Sequence, residues 1–130
     1  MFLTHKEVEQ VESIRKNTEL MGALNRCVDS YYYHLDSFRI VCEHFGISED
    51  DRIKFIQGYS TNEILDKIRV GMASEGLPKD VVDHDMQYIY EFYSICRNLT
   101  MLLGNRAYKN VLQKDLGLYI SENLKKGRCY

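Results

Sequence analysis

The 130-residue sequence contains no tryptophan and only one proline, Pro78. Because proline lacks a backbone donor and breaks the interior of a helix, its scarcity permits long uninterrupted helices. The alternation of apolar and polar residues that marks a half-buried strand is absent, and so are the Asn-Gly and Asp-Gly pairs of tight hairpins. These absences argue against a β-rich fold.

Long apolar runs are absent too, since none approaches the roughly 20 residues that a membrane-spanning helix needs. The opening segment, MFLTHKEVEQ, does not show the basic and then apolar pattern of a secretory signal. We therefore expect an intracellular, cytoplasmic protein with no membrane partner.

The chain has four cysteines, Cys27, Cys42, Cys96 and Cys129, without a C-x-x-C pair or a zinc-binding spacing. We expect free thiols rather than a disulfide framework. Also missing are the G-x-S-x-G elbow, the P-loop, the G-x-G-x-x-G fingerprint and the Glu-x-x-His pair of di-iron bundles. The sequence therefore favours a non-catalytic protein without a cofactor.

What the sequence does contain is a set of helix signals on an ordinary globular composition, with 45% hydrophobic and 28% charged residues. Thr4 and Glu7 form a capping-box pattern, and Ser48 precedes three acidic residues, as expected at helix starts. Between residues 20 and 45, a stripe recurs in steps of three and four: Leu20, Leu24, Cys27, Tyr31, His34, Phe38, Val41 and Phe45. This heptad stripe predicts one long helix.

A second heptad stripe lies between residues 82 and 103: Val82, Met86, Ile89, Tyr93, Cys96, Thr100 and Leu103. Further apolar residues beside the stripe widen it, so this helix is either the centre of a bundle or part of a dimer interface. A four-residue ridge then predicts a final helix from about Arg106 to Leu124. We expect an all-α, single-domain bundle of about five or six helices over residues 1–130, two of them long and heptad-patterned.

The stripes also predict the core of the bundle. We expect it to include Leu20, Leu24, Cys27, Tyr31, Leu35, Phe38, Val82, Met86, Ile89, Tyr93, Cys96, Leu103, Leu112, Leu116 and Ile120. A chain of this size can bury such a core without metal or disulfide staples.

Three consecutive tyrosines, Tyr31 to Tyr33, cannot all face this core, since successive helical residues point about 100° apart. With Leu20 at zero on a helical wheel, Tyr31 falls at about 20°, Tyr32 at about 120° and Tyr33 at about 220°. Ile40 falls beside Tyr33 on an otherwise polar face. Either another element covers that face or it binds a partner, since tyrosine is a frequent anchor of protein interfaces.

We take Tyr32, Tyr33, Ile40 and His44 as the candidate protein interface. The expected function is protein binding or regulation through helix faces, as in a small accessory or inhibitor protein of viral or bacterial origin. The expected partner is another protein or a second copy of this chain in a homodimer.

The C-terminal segment carries a different charge from the rest of the chain. Residues 105–130 contain six Lys or Arg and two Asp or Glu, whereas the whole chain has a net charge of −2. Phosphate contacts would come from Arg106, Lys109, Lys114, Lys125, Lys126 and Arg128. A nucleic-acid-binding regulator, or contact with another anionic partner, is therefore a less favoured alternative; attraction between the basic segment and the acidic body explains the same pattern.

The dipeptide His84-Asp85 resembles the doublet of the HD-domain metal-dependent phosphohydrolases, which are all-helical. The resemblance implies an upstream histidine, which His34 or His44 would supply, and a downstream aspartate, which Asp115 would supply. Such ligands would hold a divalent metal that lowers the pKa of a bound water. A metal-dependent phosphohydrolase is thus a second alternative.

Overall fold

A computed structural model describes residues 2–59 and 62–120. In chain order the elements are α1 (His5–Lys16), α2 (Thr18–His44), α3 (Glu49–Ile56), α4 (Asn62–Ser74), α5 (Lys79–Leu103), α6 (Arg106–Asn110) and a π-helical turn (Val111–Asp115). The described residues form no strand, and the predicted all-α bundle with two long helices is confirmed. Within the same residues, no helix is both long and apolar enough to cross a membrane.

Short polar side chains set the starts of the first three helices. The Thr4 hydroxyl accepts from the Glu7 N–H at 3.1 Å, and the Glu7 carboxylate accepts from the Thr4 N–H at 2.8 Å, completing the predicted capping box. Asn17 has extended backbone between α1 and α2, and its side-chain oxygen accepts from the Leu20 N–H. Ser48 caps α3 through the N–H of Asp51.

Four buried aromatic rings join α2, α3 and α5. The Phe92 ring of α5 lies 6.2 Å from that of Tyr31 and 5.2 Å from that of Phe38, two residues one heptad apart on α2. Phe55 of α3 stacks on Phe38 with ring centroids 4.3 Å apart. Aromatic pairs of this kind add about 0.5–1.5 kcal/mol each beyond the burial of their area. This cluster therefore fixes the register between the two long helices.

Two contacts show that α2 and α5 run in opposite directions. His44, the last residue of α2, pairs with Glu75, which comes just before α5 in the chain. Near the middle of α2, the Tyr32 hydroxyl donates to the Gly117 carbonyl, which follows α5, at 2.8 Å. The C-terminal end of α2 therefore lies beside the start of α5.

All fifteen residues predicted for the core belong to it or pack against it. The buried ones are Leu24, Tyr31, Leu35, Phe38, Val82, Met86, Ile89, Cys96, Leu112 and Ile120. Those packed on the core and half-buried are Leu20, Cys27, Tyr93, Leu103 and Leu116. α5 lies at the centre of the bundle, because it packs against α2, α3, α4 and α6.

The predicted continuous helix from Arg106 to Leu124 is wrong within the described residues. α6 ends at Asn110, the π turn follows, and residues 116–119 are not helical. Gly117 has φ +71°, a left-handed conformation that glycine adopts without a Cβ clash. The Leu116 N–H bonds to the Val111 carbonyl and the Leu118 N–H to the Leu112 carbonyl, which ends the helix. Residues 121–124 lie outside the described range.

Candidate functional site: two grooves

The directions predicted for the three tyrosines are confirmed. Tyr31 is 2% exposed, Tyr32 is half-buried and Tyr33 is 78% exposed. The Tyr32 hydroxyl accepts from the Tyr119 N–H at 3.3 Å in addition to its bond to Gly117, and burial raises the pKa of its phenol. Tyr32, one of the four candidate interface residues, therefore holds residues 117–119 against α2, whereas Tyr33 faces solvent.

An open apolar groove lies between α2 and α5, on the His34 side of Tyr33. Its volume is about 270 Å³, and it is lined by His34, Ser37, Phe38, Val41, Met72, Asp85, Tyr88, Ile89 and Phe92. Phe38, Met72, Ile89 and Phe92 are buried and supply an apolar floor. We call this surface the aromatic groove.

Exposed tyrosines flank the aromatic groove on both long helices. The Tyr33 ring packs edge-on against His34 with centroids 4.9 Å apart, and the His34 ring lies 6.1 Å from that of Phe92. On α5, Tyr88 is 59% exposed, and its ring lies 5.4 Å from that of His84. Tyr33 and Tyr88 therefore extend the groove onto the surfaces of α2 and α5.

The remaining candidate interface residues follow along α2. Ile40, one heptad after Tyr33, is 54% exposed. His44 is exposed, but its Nε2 atom pairs with the Glu75 carboxylate, which ties the end of α2 to the end of α4. Tyr33 and Ile40 are thus the apolar side chains of this face that remain available at the surface.

A close approach of α4 to the end of α2 brings Met72 into the aromatic groove. A Cβ atom at Gly71 would lie 2.3 Å from the Phe45 ring, a distance that real Cβ contacts do not reach. Glycine at position 71 therefore lets Phe45 lie directly on the α4 backbone. This packing places the next residue, Met72, beside Phe38 and Ile89.

Asp85 supplies the carboxylate of the aromatic groove. Its carboxylate is half-exposed and lies 3.5 Å from Nδ1 of His84, which points to solvent on the same helix. The other titratable groups of the lining are His34, on the α2 side, and Tyr88, on the α5 side. The groove therefore combines an apolar floor with one carboxylate at its edge.

A second groove, of about 710 Å³, lies beyond the C-terminal end of α5. It is lined by Phe2, Leu3, Val8, Arg106, Lys109, Asn110, Gln113 and Lys114. Three of the six predicted anion-binding residues, Arg106, Lys109 and Lys114, therefore share one surface. The other three, Lys125, Lys126 and Arg128, lie outside the described residues. We call this surface the basic groove.

Arg106 connects the two walls of the basic groove. Its guanidinium donates to the Phe2 carbonyl at 2.7 Å and pairs with the Glu7 carboxylate at 3.2 Å. Both partners belong to the start of the chain, roughly one hundred residues away in sequence. The N-terminal segment is thus fixed against α6, with the Phe2 side chain exposed.

The four predicted metal ligands do not form one cluster. His34 and Asp85 both line the aromatic groove, whereas Asp115 accepts two bonds from the Arg15 guanidinium, at 2.7 and 3.1 Å, where the π turn meets α1. His84 lies next to Asp85 on the exposed side of α5. Among residues 2–59 and 62–120, no group of three or more His, Cys, Asp or Glu is arranged to hold a metal ion.

Three cysteines are free thiols, as predicted, and the fourth, Cys129, lies outside the described residues. Burial raises the pKa of the Cys42 thiol to about 12 and also raises the pKa of Cys96. Because the thiolate is the reactive form, Cys42 and Cys96 are structural rather than nucleophilic.

The sequence did not predict that Ser37, Met72, Tyr88 and Phe92 line a groove. Tyr88 and Phe92 gave a signal as apolar residues beside the α5 stripe, but their position opposite His34 and Ser37 depends on the packing of α2 against α5. Met72 depends on a third helix. No single-helix pattern contains this information.

Comparison with protein-family models, curated proteins and solved structures gives no match for this chain. The described residues offer two concave surfaces of different chemistry. One is apolar with a single carboxylate, and the other carries three cations.

Proposed function

We propose that this chain is a non-catalytic binding protein that holds one amphipathic helix of a partner protein in the aromatic groove. The observation that carries the proposal is an apolar groove that opens between the two longest helices and is flanked by the exposed rings of Tyr33 and Tyr88. Apolar grooves between helices are a recurring site for helix recognition.

The dimensions of the aromatic groove favour helix side chains over a free small molecule. The lining residues of α2 extend from His34 to Val41, which corresponds to about 11 Å or two helical turns. The volume of about 270 Å³ is close to the lower end of the roughly 300–1,000 Å³ of typical small-molecule sites. The apolar side chains at positions i, i+3 or i+4 and i+7 of a partner helix match both the length and the volume.

The charge at the edge of the aromatic groove should favour some partner helices over others. Asp85 contributes a carboxylate at the edge of the groove, and Tyr33 and Tyr88 present aromatic faces beside it. A lysine or arginine next to the apolar anchors of the partner would pair with Asp85 and pack on a tyrosine ring. We therefore expect a basic amphipathic helix rather than an acidic one.

Tyr33 and Ile40 would enlarge the contact along α2. Both are more than half exposed, and tyrosine is among the residues that contribute most to binding energy when an interface covers it. A binding and accessory role uses these side chains, whereas a metal-dependent phosphohydrolase would use neither of them.

Photo-crosslinking from inside the groove tests this function. p-Benzoylphenylalanine replaces Ser37, an exposed residue of the lining, and in a control protein it replaces Asp66, an exposed residue of α4. We expect position 37, and not position 66, to cross-link in the native host to an amphipathic helix that contains Lys or Arg. Absence of a cross-link specific to position 37, or a cross-link only to a second copy of this chain, would overturn the proposal.

A synthetic peptide of the cross-linked segment then tests the recognition itself. Asp85→Lys replaces attraction by repulsion and should weaken peptide binding about tenfold or more. Asp66→Lys makes the same charge change at a distant exposed site and should leave the affinity unchanged. Equal affinities of the two variants would contradict a role for Asp85.

A further inference from the structure

Two cations of the basic groove lack an ionic partner within the described chain. Arg106 is paired with Glu7, but no described carboxylate lies within ion-pair distance of Lys109 or Lys114. Three cations and one carboxylate leave two positive charges in excess at this surface. A phosphate monoester, with a charge of about −1.5 to −2 at pH 7, matches that excess.

The π turn helps to place these lysines on one surface. In a continuous α-helix, residues five apart point about 140° away from each other, so Lys109 and Lys114 would lie on different faces. The π turn bonds residue i to residue i+5, as between Val111 and Leu116, and rotates Lys114 back towards Lys109. Such turns are rare overall, but those that occur are often found at functional sites.

The opposite wall of the basic groove is apolar. Phe2 is 97% exposed and Val8 is 45% exposed, although the Phe2 backbone is held by Arg106. Asn110 and Gln113 add half-buried amide groups to the lining. The groove volume of about 710 Å³ lies within the range of about 300–1,000 Å³ for small-molecule sites.

We propose that the basic groove binds a small phosphate monoester that carries an apolar group. Lys109 and Lys114 hold the phosphate, and the apolar group packs against Phe2 and Val8. A nucleotide and a lipid-like phosphate share this chemistry. The site is separate from the aromatic groove, which lies beside the first half of α5 and shares none of its lining residues.

Calorimetric titration of the full chain tests the site with phenyl phosphate, AMP, octyl phosphate and inorganic phosphate. We expect phenyl phosphate to bind at least about fivefold more tightly than inorganic phosphate, because aromatic stacking adds to the ionic contact. The better ligand of AMP and octyl phosphate identifies the nucleotide or the lipid-like source. Equal binding of phenyl phosphate and inorganic phosphate, or no binding of any probe at millimolar concentration, would overturn the proposal.

Two matched variants locate the site. Lys109→Gln with Lys114→Gln should weaken phenyl phosphate binding at least about tenfold, because charged hydrogen bonds are lost. Lys54→Gln with Lys79→Gln removes two exposed lysines elsewhere and should leave it unchanged. Phe2→Ala should reduce the affinity for phenyl phosphate to that for inorganic phosphate. Equal losses in both lysine pairs would place the binding outside the basic groove. Tighter binding of an oligonucleotide that lacks a terminal phosphate would contradict recognition of a phosphate monoester.

Discussion

The aromatic groove lies beside the first half of α5, whereas the basic groove lies beyond the C-terminal end of α5, and polar contacts play a larger part at the basic groove. Two floor residues of the aromatic groove, Phe38 and Phe92, belong to the buried aromatic cluster that also contains Tyr31 and Phe55. At the basic groove, a hydrogen bond and an ion pair of Arg106 attach the N-terminal segment to α6. One groove is therefore a depression in the core, and the other is a gap between attached surface segments.

This difference has an energetic consequence. Removal of a buried ring costs both transfer free energy and a cavity, typically several kcal/mol, whereas an exposed ion pair contributes about 0–1 kcal/mol. Changes beneath the aromatic groove should therefore affect the whole bundle. Substitutions around residues 117–119 should lower the free energy of unfolding by a smaller amount.

The largest effect is expected for Phe92→Ala. Phe92 is 4% exposed and touches both the aromatic cluster and the groove, so its truncation should lower the free energy of unfolding by about 3–5 kcal/mol. Chemical denaturation followed by circular dichroism measures this change. Tyr88→Ala, at an exposed position of the same groove, should change it by less than about 0.5 kcal/mol. Similar losses of unfolding free energy in both variants would contradict the distinction between the buried floor of the groove and its exposed edge.

An intermediate effect is expected for Gly117→Ala, because the left-handed conformation of residue 117 would cost a Cβ-bearing residue about 1–2 kcal/mol. The control is Gly22→Ala within α2, where a Cβ atom meets only the Arg26 side chain at an ordinary 3.5 Å. That change should stabilise the protein by up to about 1 kcal/mol. The same denaturation experiment compares the two variants. A Gly117→Ala protein as stable as the wild type would show that the chain does not turn at Gly117.

The smallest effect is expected for Tyr32→Phe. The change removes the hydroxyl that bonds to Gly117 and Tyr119, and it should lower the free energy of unfolding by about 0.5–1.5 kcal/mol. The rate of hydrogen exchange at the Tyr119 amide should rise, because residues 117–119 are held less firmly against α2. Tyr33→Phe removes an exposed hydroxyl one residue later. It should change neither the free energy of unfolding nor the exchange rate of the Tyr119 amide. An unprotected Tyr119 amide in the wild-type protein would exclude the attachment.

The long helices, most of the core and the directions of the tyrosines could be predicted from the sequence, because each depends on periodicity within one helix. Leu20 to Phe45 is the clearest case. The wheel position of Tyr33 predicted its exposure, and the capping box at Thr4 predicted the start of α1. The residue pattern within one helix is enough to predict a feature that depends on that helix alone.

The end of the chain and the two grooves could not be predicted in this way. A ridge that includes Leu112, Leu116 and Ile120 fits a continuous α-helix, yet the conformation of Gly117 ends the helix between them. The basic groove requires Arg106 to meet Glu7, and the aromatic groove requires three helices to meet around Phe92. Such long-range contacts are set by packing and leave no periodic signal.

The most direct test of the account is a heteronuclear NMR titration with the peptide identified by cross-linking from position 37. If a partner helix occupies the aromatic groove, the amide signals of Ser37, Met72 and Ile89 should shift on binding, while those of Lys109 and Gln113 should stay in place. Shifts confined to the basic groove, or spread evenly over the protein, would contradict the claim that α2 and α5 form the protein-binding surface.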